Sequence, residues 1–167
     1  RILGGSVDFG WGPAGKLSSI IQHLPEAEWH LCETSLSFDQ SVYGGIKFSG
    51  ICRDRSPIGL KKYCHDNKVD VALVVLDPDL ADILVAAQVP TVYVDSLPFL
   101  WTDTDRIPIG VNSYCAQQCG NLPKSCWDKI RSIKNLSWVE PIVPTLSEGI
   151  VNERLNQAVI NFGGLHW

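Results

Sequence analysis

Short apolar runs alternate along the chain with stretches whose apolar residues recur at helical spacing, the pattern of βα units feeding a parallel sheet. Residues 1–6 read as a short first strand, followed by a glycine-rich turn. From Pro13 to about Leu24, Leu17, Ile20, Ile21 and Leu24 recur at i, i+3, i+4 and i+7, which marks one helical face. Pro13 takes the first helical position there, and Pro25 lies just past the end. Residues 29–33 read as the second strand, and 34–55 as a long loop holding one short element at most. Ser56-Pro57 pairs a capping hydroxyl with a proline suited to a first helical turn, so a helix is predicted to about Asn67. Residues 69–76 form the clearest strand. A near-continuous valine-rich run means both faces are covered, which places it centrally in a parallel sheet.

Asp77-Pro78 repeats the cap-and-proline signal for a helix to about Ala87, and 91–94 is the next strand. Two βαβ units are therefore legible, at 1–33 and 69–94. Beyond them the pattern weakens: a loop over 95–110, helices over 111–119 and 124–134, and a segment at 138–143 that Pro141 confines to a sheet edge. A short helix over 148–157, a strand over 158–162 and a Gly163-Gly164 turn complete the reading. The predicted fold class is α/β, a three-layer Rossmann-like domain with a mostly parallel sheet.

Composition narrows the function classes. The 167 residues are 45% hydrophobic and 19% charged, with a net charge of −4. That is too apolar for a disordered segment. No apolar run approaches the ~18 residues of a membrane span, and no basic cluster suits a nucleic-acid backbone. At this length folding buries roughly 70% of the extended-chain surface, so the core needs no covalent staples. The six cysteines fall well below the density of a disulfide scaffold. Cys32 and Cys64 sit in apolar-periodic segments as small hydrophobes do, and the expectation is a reduced, cytoplasmic protein. The absence of methionine and the Arg1 start point to a processed or truncated N-terminus.

The densest chemical signal is Gly10-Trp11-Gly12-Pro13-Ala14-Gly15-Lys16-Leu17. As G-x-G-x-x-G it opens a helix after a strand, and Glu33 ends the second strand where a dinucleotide fold holds its ribose-binding carboxylate. Against that, six residues separate Gly10 from Leu3, and Trp11 is bulky between glycines meant to admit a pyrophosphate. As G-x-x-x-x-G-K-[ST] it carries Lys16 but has Leu17 where a hydroxyl ligates Mg²⁺, so a working part is lost. The third reading is a helix N-terminus whose free amides face a polar ligand or a second domain.

Other candidates lie at strand ends. Asp95-Ser96 follows a strand at its carboxyl end, where open α/β sheets bind ligands, although Asp and Ser also suit plain turn chemistry. Trp11 and Trp101 are candidates to wall a cleft. Cys115, Cys119 and Cys126 lack a fourth ligand close in sequence for structural zinc, and the i, i+4 pair reads as one apolar helix face. No metal or cofactor is assigned.

Three segments carry a resemblance: 9–17, then Asp77-Pro78-Asp79, then Val94 to Trp101. Together they resemble the N-terminal half of a GT-B glycosyltransferase, and within that superfamily are similar to the cytosylglucuronate synthase-like enzymes. Residues 138–144 and 160–165 resemble the linker into that fold's second half and its first strand and turn. The resemblance implies an acceptor-side domain over 1–150, with 151–167 entering a donor domain otherwise missing from this sequence. It implies a small-molecule acceptor, a nucleotide-sugar donor held by the missing half, and no efficient transfer by these residues alone. The catalytic base of inverting members commonly follows the first strand, where the only ordinary base here is Asp8. Many relatives carry His there, and this chain does not. Gly10, Trp11, Gly12 and Gly15 would shape the cleft, with Asp95 and Ser96 as acceptor contacts. The alternatives are an NAD(P)-type oxidoreductase domain and a non-catalytic small-molecule binding module.

Overall fold

A computed structural model describes residues 1–8, 11–34, 42–95, 107–108, 110–118 and 131–142. Its centre is a seven-stranded sheet in the order β3-β2-β1-β4-β5-β6-β7, every neighbouring pair parallel. The strands are β1 (Ile2–Ser6), β2 (Trp29–Cys32), β3 (Gly50–Cys52), β4 (Val71–Val75), β5 (Thr91–Asp95), β6 (Ser113–Gln117) and β7 (Leu136–Val139). Three helices that lie wholly among the described residues accompany them: α1 (Trp11–His23), α2 (Pro57–Asp66) and α3 (Pro78–Ala86). The architecture is the expected α/β Rossmann-like one, with valine-rich β4 at the middle of the sheet.

Strand alternation assigns the helices to opposite faces. Gly4 faces α1, where an added Cβ would lie 3.2 Å from Leu17 Cδ1. Gly5 faces α3, where an added Cβ would meet Leu80 Cδ2 at 2.5 Å. On the first face Ala14, Leu17, Ile21, Trp29, Leu31 and Val75 form one core cluster. On the second, Leu3, Leu60, Ala72, Val74, Leu80 and Leu84 form another. Each fully buried leucine contributes about 1.5–3 kcal/mol relative to exposure, so both helical layers are held chiefly by this burial.

Both predicted caps are present. The Ser56 hydroxyl accepts from Gly59 N at 3.1 Å, and the Asp77 carboxylate accepts from Leu80 N at 2.9 Å. The helix ends are also satisfied, by Schellman motifs. After α2, Lys68 N donates to His65 O and Val69 N to Cys64 O; after α3, Gln88 N donates to Val85 O and Val89 N to Leu84 O. These motifs need a left-handed residue, and here it is Lys68 (φ 51) or Gln88 (φ 62) rather than glycine. Both are exposed, so little packing is at stake. Lys68→Gly and Gln88→Gly should therefore each raise stability by about 1 kcal/mol, read as a higher urea midpoint at unchanged m-value.

Two expectations need correction. The helix predicted over 111–119 is strand β6, whose burial alternates: Tyr114 and Ala116 are buried, while Ser113, Cys115 and Gln117 are half-exposed. The short element allowed for within 34–55 is β3, which joins the sheet beside β2. α1 begins at Trp11, so Pro13 is its third residue, still within the first turn where no backbone N–H partner is needed. The segment before Pro141 does form edge strand β7. Residues 143–167, including the predicted second-domain entry, lie outside the described residues.

Candidate functional site

The direction in which successive strands are added to the sheet reverses at β1. Successive strands β1, β2 and β3 step outward one way, and β4 then returns to the other side of β1. The β1/β4 junction is therefore a topological switch point, and the carboxyl ends of these strands form the edge where doubly wound sheets receive ligands. Val7 N donates to Val75 O at 3.0 Å and fixes β1 against β4 up to that edge. Asp8 follows directly and is exposed. Trp11 opens α1 and is 60% exposed. The structure thus places Asp8, Trp11 and Gly12 together at the switch point. Gly10, Ser96 and Trp101 lie outside the described residues.

Among the described residues, Gly12 and Gly15 do not serve close packing. An added Cβ at either position meets no atom of the described residues within 4 Å. In a dinucleotide fingerprint the last glycine admits close helix–strand contact, and here Gly4 and Gly5 of the strand itself carry that role. Glu33, the counterpart of the ribose-binding carboxylate, is held by Arg53 Nε at 2.9 Å. Lys16, the phosphate ligand of the triphosphatase reading, donates its Nζ to Gln117 Oε1 at 3.0 Å and Ile142 O at 3.3 Å. Partial burial lowers its pKa from the ordinary lysine value. These contacts tie α1 across the sheet edge to β6 and the segment after β7.

Asp95 is brought to the same edge but turned inward. It is 2% exposed, and its carboxylate accepts the Tyr114 hydroxyl at 2.7 Å. Next to the switch point, Arg55 reaches Asp77 Oδ2 with one guanidinium nitrogen, while its Nη1 is buried with no hydrogen-bond partner among the described residues. Sequence reasoning missed Arg55, Tyr114 and Gln117, because each acts through a partner remote in the chain. Leu76, between β4 and the Asp77 cap, has φ 57, a left-handed conformation costly for a leucine. Its amide donates to Val94 O at 3.1 Å, which helps hold the turn.

Three tyrosines, Tyr93 and Tyr114 buried in the sheet and Tyr63 partly buried on α2, give the fold a predictable pH response. Burial is the largest cause raising the pKa of Tyr63, to about 12, and those of Tyr93 and Tyr114 further still; the Asp95 charge adds to the last two. Unfolded tyrosine ionises near ~10, so above that pH the folded state holds more protons than the unfolded one. Stability is then complete below about pH 10 and falls as pH rises beyond it. Phenolate absorbance at 295 nm should show these three tyrosines ionising together with loss of the fold.

No protein-family model matches the chain, and no curated protein matches it in sequence. Among the described residues no helix is long and apolar enough to cross a membrane.

Proposed function

We propose that this chain is the acceptor-side domain of a nucleotide-sugar-dependent glycosyltransferase of the GT-B kind. The observation that carries the reading is the exposed Asp8 carboxylate directly after β1 at the switch point, with exposed Trp11 opening the adjacent helix. Trp11 offers a face for a planar or sugar acceptor. Asp8 takes the proton from an acceptor O–H or N–H as that oxygen or nitrogen attacks the anomeric carbon, and the nucleotide departs with its phosphate oxygen. Gly12 and Gly15 leave the amino end of α1 open to the acceptor, and Asp95 supports the edge from beneath through Tyr114. The donor sugar is held by a second domain, and the reaction belongs to a reduced, cytoplasmic setting.

Joined to a donor domain, Asp8→Asn should lower kcat by about 100-fold or more, the range removed with a general base, while KM for the acceptor changes little. Asp8 is exposed, so the substitution should leave the urea midpoint unchanged. An unchanged kcat in this variant would remove Asp8 from the mechanism. The oxidoreductase reading is less well supported, because Glu33 is engaged by Arg53 and Gly15 is not needed for close helix–strand contact.

A further inference from the structure

The described cysteines Cys32, Cys52, Cys64 and Cys115 are all free thiols, and the first three share one buried core cluster. Two of them stand in a particular relation. Cys32 ends β2 and Cys52 ends β3, and the two are direct partners in the parallel register. Strands in a sheet lie about 4.7–4.9 Å apart, within the ~4.4–6.8 Å range of Cα separations that a disulfide spans. Both side chains belong to the cluster on the α2/α3 face, so they project to the same side.

We propose that Cys32 and Cys52 form a redox-active dithiol that is oxidised to a disulfide by thiol–disulfide exchange with a low-molecular-weight disulfide such as oxidised glutathione. The Cys52 thiolate attacks one sulfur of that disulfide and a mixed disulfide forms, expelling a small thiolate that takes up a proton. Cys32 then loses its proton and attacks Cys52 Sγ, and the second small thiol departs. Two protein thiols are oxidised and one small disulfide is reduced to two thiols, so the exchange needs no further oxidant.

Three features suit the pair to this chemistry. The shared proton between the thiols, the Asp54 backbone and the nearby Arg55 charge lower the pKa of Cys52, while the same sharing and burial raise that of Cys32. That asymmetry fits one attacking and one resolving sulfur. Access comes from the edge: β3 is three residues long and among the described residues pairs with β2 alone, so it opens at lower cost than the central strands. The facing register also brings the two sulfurs together with no change of strand pairing.

The test treats the folded chain with oxidised glutathione, alkylates the remaining thiols and digests with trypsin. Cys52 then lies in the short peptide 48–53, separate from the peptide carrying Cys32. The expected product joins these two peptides, two hydrogens lighter than their sum, and is released by dithiothreitol, with Cys64 and Cys115 alkylated. Cys32→Ser should abolish the linked product and leave Cys52 as a mixed disulfide with glutathione; Cys52→Ser should leave Cys32 alkylated. Should either variant fail to fold, the wild-type peptide map alone decides. Both cysteines alkylated after treatment, or a disulfide joining either of them to another cysteine, would overturn the assignment.

Discussion

Replacing Asp77 with alanine is expected to lower stability by about 3 kcal/mol, roughly 10 °C in melting temperature for a domain of this size. Two losses combine. The Asp77 carboxylate caps α3 through Leu80 N, and removing such a cap costs about 1 kcal/mol. It is also the partner of Arg55, which already has a buried Nη1 without an acceptor among the described residues. Stripping the carboxylate leaves a mostly buried guanidinium uncompensated, and its residual exposure keeps the penalty below the 3–5 kcal/mol of a fully buried pair. Asp77→Asn separates the terms, because asparagine caps as well as aspartate but carries no charge. It should cost about half as much. Arg55→Met in the Asp77→Ala background should recover part of the loss, and the double-mutant cycle measures the coupling.

Two glycine substitutions should move stability in opposite directions. At Gly5, an added Cβ would sit 2.5 Å from Leu80 Cδ2 and 3.4 Å from Cys32 Cβ. Leu80 is itself fully buried, so its rotation has little space, and Gly5→Val should cost about 3 kcal/mol through overpacking at the centre of the sheet. At Gly15, inside α1, a Cβ meets nothing among the described residues, and Gly15→Ala should stabilise by about 0.5–1 kcal/mol. A glycine retained there at a stability cost is what a ligand approaching the helix's amino end would require. Urea unfolding of the two variants, read with acceptor binding by Gly15→Ala, separates the packing role from the binding role.

Most of the first hundred residues could be read from sequence because their signals are local. Ser56-Pro57 and Asp77-Pro78 each place a cap beside a residue suited to the first turn, and both helices begin where those pairs stand. The valine run of β4 announced burial on both faces. β3 could not be placed within 34–55 because three residues, Gly-Ile-Cys, carry no periodicity and are held by pairing with β2. In β6 the i, i+4 spacing of Cys115 and Cys119 suits a helix as well, and only the alternating burial of Tyr114 and Ala116 marks the strand. The positions of Asp8 just after β1 and of Trp11 at the start of α1 follow from the strand and helix boundaries, and their roles rest on the proposed function. Asp95 was legible as a strand-end residue, but its inward turn toward Tyr114 depends on β6 lying beside β5. The Lys16–Gln117 and Arg55–Asp77 contacts join elements whose adjacency exists only once the sheet order is set.

Thermal denaturation of the chain with NAD⁺, with uridine diphosphate sugars, and with a panel of nucleobases and nucleosides tests the acceptor-domain account most directly. The account predicts stabilisation by a member of the nucleobase and nucleoside panel, lost in Trp11→Ala, with no response to NAD⁺ or to the nucleotide sugars alone. Stabilisation by NAD⁺ that disappears in Glu33→Ala would contradict it.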